Sequence, residues 1–487
     1  MNVVRPALVL LMLASFSNAQ VSAELIIKNA TIRTMDAKRT VVSAVAIRNG
    51  RIVSVGSDAE IAKYQTASTR VIDAKKRLVL PGFNDSHVHL TGVGNWFSHL
   101  DNQRATSKAG VLNGIARFAR FLPKGRWILG GKLDERYVPT LAELDAITPN
   151  HPVFIYLRDP NKVLVNSRTM LQAKVPVQTY GLFTGEDIPR IKRAIPANNA
   201  TNWAEIIEAA SKYAASLGVT SIQDVQSDDL RATLHELDRK GKLLTRVYDC
   251  VGLSDWEKNP KVGLPEKSDT AMVRGGCIKW MAEGEDGEDT LLGKRFAAAD
   301  KASLQVLVHA IGPRSNANTL SAFEYVIAQN GKRDRRLRIE HATRMRAVDH
   351  QRVTRNDIIM SMQPALFGLG SDDFRMLYSR RVNLAFGSDA SMIDIDPITG
   401  IHAAVNSGSS SVTVDQAVAA YTLGAAYAEF QEKEKGTIEV GKLADLVILS
   451  NDIFKMPSSA IRSARVAMTI VNGRVVFEAE KEKPRML

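Results

Sequence analysis

A chain of 487 residues, 45% hydrophobic and 24% charged, has the balance of a folded globular protein and is too long for one simple core. Disordered and fibrous classes are excluded, and a large barrel with an accessory domain is the expectation. The formal charge of +12 raises nucleic acid or an anionic membrane surface as partners, but the basic residues are spread along the chain and no nucleic-acid motif accompanies the densest runs at 332–336 and 481–485. A solvated basic surface and no nucleic-acid partner are expected.

Residues 1–23 read as a leader. Arg5 precedes the apolar run Ala7-Leu8-Val9-Leu10-Leu11-Met12-Leu13-Ala14, and Val21-Ser22-Ala23 supplies a cleavage-like end. The run is too short for a membrane span, so a removed secretory signal is expected, giving a periplasmic or secreted protein without an integral membrane anchor. An uncleaved anchor is the alternative. Cys250 and Cys277 each lie in an apolar run, and two buried free thiols are expected rather than a bridge.

Residues 24–77 read as short strands and turns, with Asn49-Gly50 as a hairpin turn. The same grammar returns at 430–487, in Leu446-Val447-Ile448-Leu449 and in the runs flanking Asn472-Gly473. One β-sandwich domain built from both termini, with 78–429 inserted between them, accounts for the repetition.

The middle alternates apolar strand runs with helical stretches, as parallel βα units do. Candidate strands at 78–80, 220–222, 246–248, 277–280, 304–309, 337–341, 358–362 and 383–386 predict an α/β fold, a closed (β/α)8 TIM barrel. The stretch from about 96 to 213 is too long for one loop. It is expected as an insertion over the barrel mouth, able to shape a pocket for a small-molecule substrate.

Catalytic groups of such a barrel sit where its strands end. The first run leads into His87-Val88-His89, and side chains two apart on a strand share a side, so both imidazoles address one spot. That pair alone is a weak signal. Other ends add to it: Val306-Leu307-Val308 ends in His309, Leu337-Arg338-Ile339-Glu340 in His341, and Leu384-Ala385-Phe386-Gly387-Ser388 in Asp389. Singly, each reads as an ordinary hydrogen-bonding residue. Together, four imidazoles and a carboxylate at one mouth suit zinc or a similar divalent ion. Lys279 stands among apolar neighbours, where an unpaired ammonium is costly, and pairing with Asp389 is its plain reading.

The ordered fragments LPGFNDSHVHL, GVTSIQD, GCIKWMAEG, LVHAIG, RIEHAT, MQP, AFGSDA and GTIEVGKLADLVIL resemble the amidohydrolase superfamily, specifically the amidohydrolase 3 group that includes N-substituted formamide deformylases. The likeness covers nearly all of the chain after the leader. It implies two zinc ions per chain, one on His87 and His89 and the other on His309 and His341. It further implies a carbamylated Lys279 as the bridging ligand and Asp389 as both ligand and general base. The implied reaction is hydrolysis of a C–N bond of amide, N-acyl or N-formyl type by a metal-activated water, whose pKa coordination lowers from about 16 toward 7. Esters, lactones and cyclic amides would open at the same site, and a non-catalytic exported binding protein is the alternative from another class. The chain departs from the family pattern at Asn161, Gln223, Glu283 and Pro313. The first three are candidate substrate-binding residues, with hydrogen bonding inside loops equally open. Homo-oligomerisation stays open as well.

Overall fold

The computed structural model describes residues 22–96, 99–103, 105–196, 203–225, 230–281, 289–367 and 373–479, so nearly all of the predicted leader lies outside the described residues. Its centre is an eight-stranded parallel sheet: β1 (Phe83–Val88), β2 (Val219–Val225), β3 (Arg246–Gly252), β4 (Val273–Met281), β5 (Gln305–Ile311), β6 (Arg338–Thr343), β7 (Ile359–Met362) and β8 (Asn383–Phe386). Helices follow the strands, as in Asp289–Lys301 after β4 and Pro313–Asn330 after β5. The apolar side chains between strands and helices, among them Ile278, Val306, Val308, Phe323 and Ile339, form the largest core. The seam between β8 and β1 is joined just beyond the strands, where Asp389 N–H donates to His87 O at 2.8 Å and Val88 bridges Ala390. The barrel is therefore nearly closed, and its closure runs through the residues singled out as ligands.

The first barrel strand is not the run at 78–80. Leu78–Pro81 lies in a six-stranded sheet, parallel to Thr31–Arg33 and antiparallel to Leu446–Leu449. The chain crosses into the barrel at Gly82, whose N–H donates to Asp445 O at 2.8 Å and where a side chain would collide with Thr220. An unbroken apolar run has the same signature in a buried sandwich strand as in a barrel strand, so the pattern could not separate them.

That six-stranded sheet takes strands from both ends of the chain and packs on a four-stranded one built from Arg51–Gly56, Ala44–Arg48, Leu25–Lys28 and Arg70–Asp73. Ile27, Val45, Val79, Leu446 and Ile470 share one core between them. Both Asn-Gly pairs form their hairpin turns with left-handed backbone at each residue, φ +52° at Asn49 and Asn472 and +72° at Gly50 and Gly473.

After β1 comes a separate sheet of five strands, in the order Leu182–Thr184, Lys162–Val165, Val153–Leu157, Ile128–Leu133 and Leu100–Asp101. Trp203–Ser216 is a helix against the barrel, with Ile207, Ala210 and Ala214 clustered with Val219 and Ile222 of β2. The cysteines correct a further expectation. Cys250 and Cys277 form a disulfide, with Cα atoms 4.7 Å apart, because the β3–β4 register sets them side by side across 27 residues of sequence.

Candidate metal centre

Five barrel strands deliver the cluster. From β1, His87 and His89 both bring Nε2 to 3.4 Å from Asp389 Oδ1, so the alternation argument for the pair holds. Asp389 arrives from the end of β8 with φ +58°, following Gly387, where a Cβ would lie 2.6 Å from His87 N. His341, at the end of β6, has its ring 4.8 Å from that of His87 and 4.4 Å from that of His309 on β5. His87, His341 and Asp389 each offer a ligand atom within 4.8 Å of the others. Lys279 of β4 is 2% exposed.

The electrostatics favour cation binding. Burial holds His87 well below its ordinary pKa, with the Lys279 charge acting in the same direction against Glu340. Burial, His341 and Lys279 bring His309 down to about 4, and burial also lowers His341. These three rings are neutral at pH 7, the form that coordinates metal. Burial pushes Asp389 upward, but the His89 imidazole 3.4 Å away and the neighbouring rings outweigh it, and the carboxyl ends below its ordinary value.

His87 Nε2, Lys279 Nζ and Asp389 Oδ1 are buried polar atoms with no hydrogen-bond partner among the described residues. The plain pairing of Lys279 with Asp389 is not made. Each orphaned buried group costs about 1–3 kcal/mol. Three of them in one cluster, beside three further imidazoles, fit a site built to be satisfied by cations. Burial brings Lys279 down to about 8, against the pull of Glu340 and Asp389.

Around the candidate ligands stand residues that strand-end reasoning missed. His87 Nδ1 lies 2.6 Å from Glu340 Oε2, and His341 Nδ1 lies 2.7 Å from Gln363 Oε1. Asp85 Oδ1 accepts the N–H groups of His87 at 3.1 Å and Ser388 at 2.9 Å, tying β1 to the end of β8, and burial pushes its pKa up to about 7 despite the Ser388 hydrogen bonds. The available signal was two-residue spacing: Arg338 and Glu340 share a strand face, as do Asp85 and His87.

The predicted substrate residues fare differently. Gln223 is wholly buried in β2, donates to Asn84 Oδ1 at 3.3 Å and Ala425 O at 2.8 Å, and accepts from Arg338, so it serves the barrel interior and not a substrate. Asn161 sits in an exposed turn of the insertion, its N–H donating to Asp159 Oδ1 at 2.9 Å, and shares no hydrogen bond with the cluster among the described residues. Glu283 lies outside the described residues. Pro313 is absorbed as the first residue of its helix, where the missing N–H costs nothing.

A parallel eight-stranded barrel with imidazoles and carboxylates gathered at its strand ends defines the class of metal-dependent barrel hydrolases. Residues 70–477 match the family model described as the amidohydrolase family, and the chain belongs to that family. It is 28% identical to Protein LONG AFTER FAR-RED 3 of Arabidopsis thaliana, across 94% of this chain and 92% of that one. Identity to the N-substituted formamide deformylase of Arthrobacter pascens is 24%, across 93% and 98%. An uncharacterized metal-dependent hydrolase from Pyrococcus furiosus shares the fold, with TM-score 0.62 at 24% identity over 88% of this chain and all of the other.

Proposed function

We propose that the protein hydrolyses a carbon–nitrogen bond of amide, N-acyl or N-formyl type in a small molecule, with His87, His89, Lys279, His309, His341 and Asp389 holding two divalent ions, zinc foremost. The observation that carries this reading is the trio of unpartnered buried atoms on His87, Lys279 and Asp389. Similarity along the whole chain to the formamide deformylase of Arthrobacter pascens supports the bond type. When bound, the ions supply Lewis acidity, polarising a carbonyl and acidifying water. Asp389, its carboxyl kept below its ordinary pKa by the surrounding imidazoles, would take a proton from the attacking water and return it to the departing nitrogen. Lys279 has an amine that is partly deprotonated near neutrality. In that form its nitrogen adds to carbon dioxide and releases one proton, turning a costly buried cation into an anionic ligand. Export is part of the proposal, supported by the leader-like 1–23 and by the Cys250–Cys277 bridge. No helix among the described residues is long and apolar enough to cross a membrane.

Elemental analysis is expected to find two divalent ions per chain, and intact-mass analysis one added carbon dioxide on Lys279. A screen of N-formyl amines, amides, esters and lactones is expected to find turnover of a C–N substrate that His87→Ala and Asp389→Ala abolish. Full activity in metal-free protein would overturn the reading.

A further inference from the structure

Strand β6 carries Arg338-Ile339-Glu340-His341, and in a regular strand Glu340 and His341 face opposite ways. Ile339 joins the apolar shell outside the barrel, while Arg338 and Glu340 turn inward and are fully buried. His341 joins them because the backbone leaves the strand conformation, with φ +67° at His341 and +53° at Ala342, where the register with β5 also shifts. One strand thus sends two consecutive polar side chains to the barrel axis.

Glu340 divides its oxygens. Oε2 lies 2.6 Å from His87 Nδ1, and Oε1 accepts from Arg338 Nε at 2.5 Å. Arg338 also donates to Gln223 Oε1 and to Ser86 O. Gln223 donates to Asn84 Oδ1 at 3.3 Å, Asn84 to Glu429 Oε1 at 2.7 Å, and Glu429 pairs with Lys435 at 2.8 Å. A continuous line of buried polar partners therefore runs from the segment that follows the last barrel helix to one nitrogen of His87. A carboxylate can only accept there, so the ring proton sits on Nδ1. Nε2 is left with its lone pair facing Asp389. His341 has only the amide of Gln363 in the equivalent place.

We propose that Glu340, anchored by Arg338, is a positioning residue for His87: it fixes the tautomer and the ring plane so that Nε2 is offered to the first ion. This rests on His87 being a ligand, as proposed above. The competing possibility is that Glu340 serves only to neutralise the buried Arg338.

The test measures zinc affinity by competition with a chromophoric chelator in a His309→Ala background, which isolates the ion held by His87 and His89. Adding Glu340→Gln is expected to weaken that affinity about 10–100-fold, the usual effect of losing a ligand's outer partner. A second variant, Arg338→Met with Glu340→Gln, leaves no buried guanidinium unpaired and guards against a loss of fold, which circular dichroism monitors. Its zinc affinity is expected to stay as low as that of Glu340→Gln alone. Wild-type affinity in either Glu340 variant would overturn the proposal, recovery in the double variant identifying a mere counter-ion. If the His309→Ala protein with Glu340 intact holds no zinc at all, the assignment of His87 as a ligand fails first and the positioning role falls with it.

Discussion

Replacing Lys279 with methionine should make the metal-free protein more stable and, on the proposed reading, remove the bridging ligand for its two ions. The lysine is 2% exposed and its Nζ has no partner among the described residues. Burial is the largest influence on it and brings its pKa from 10.5 to about 8, against the opposing attraction of Glu340 and Asp389. At ~1.4 kcal/mol for each tenfold change in proton affinity, that difference amounts to about 3 kcal/mol against the folded state. Because the folded pKa is the lower one, the unfolded chain binds more protons between the two values. The penalty is therefore present in full below about pH 8, relaxes as pH rises, and is gone above the ordinary lysine value. Urea denaturation of chelator-treated protein in carbon-dioxide-free buffer measures it: Lys279→Met should gain about 3 kcal/mol over wild type at pH 7 and lose most of that advantage by pH 10.5. Adding zinc and bicarbonate should reverse the order, stabilising wild type far more than the variant. A methionine variant that is less stable than metal-free wild type at pH 7 would refute the reasoning, since the lysine would then have to be favourably paired.

Other residues yield sharper local tests. The Cys250–Cys277 bridge spans 27 residues and should contribute about 3–4 kcal/mol, read as the drop in urea unfolding free energy of the double alanine variant; no loss would contradict a formed bridge. Gly387→Ala places a Cβ 2.6 Å from His87 N and 2.7 Å from Asp85 Oδ1, and should cost about 1–3 kcal/mol and reduce bound zinc measured by elemental analysis. Arg246 of β3 grips Asp445 of the terminal segment through bonds of 2.6 and 2.9 Å, both side chains buried. Asp445→Ala should lose about 3–5 kcal/mol in a denaturation series, while an Arg246→Met, Asp445→Leu pair should come close to wild type.

The candidate ligands were legible because a parallel barrel concentrates chemistry at strand ends, and a histidine or aspartate closing an apolar run is visible in one dimension. His87, His309, His341 and Asp389 were all found in that way. Their supporting partners were not. Arg338, Glu340 and Asp85 are 0% exposed, yet Arg338 and Glu340 flank the apolar Ile339 and Asp85 sits among the polar Asn84 and Ser86, patterns that read as a strand with a solvated face. Only the closure of the sheet turns that face inward. The disulfide was hidden for a related reason, since Cys250 and Cys277 meet through a register that shifts between Tyr248 and Cys250, and spacing along the chain carries no trace of it. Gln223 looked like a pocket residue because it occupies a departure from the family pattern at the end of an apolar run. Both ends of its side chain are already engaged with Arg338, Asn84 and Ala425.

Backbone strain and unsatisfied polarity coincide at this centre. His341 and Asp389 both take left-handed φ, +67° and +58°, which non-glycine residues adopt at a cost of about 1–3 kcal/mol. The same cluster buries Lys279 Nζ, His87 Nε2 and Asp389 Oδ1 without hydrogen-bond partners among the described residues. Neither feature lowers the energy of the chain by itself. Regular strands would place His341 outside the barrel beside Ile339, and a scaffold selected for stability alone would fill the axis with apolar side chains. The surrounding structure holds the strained pair in place: Asp389 N–H is bonded to His87 O, and His341 is packed between the rings of His87, His309 and Phe367. On the proposed reading, a cation shared among its members offsets that cost, which would tie the folding of the barrel mouth to metal binding.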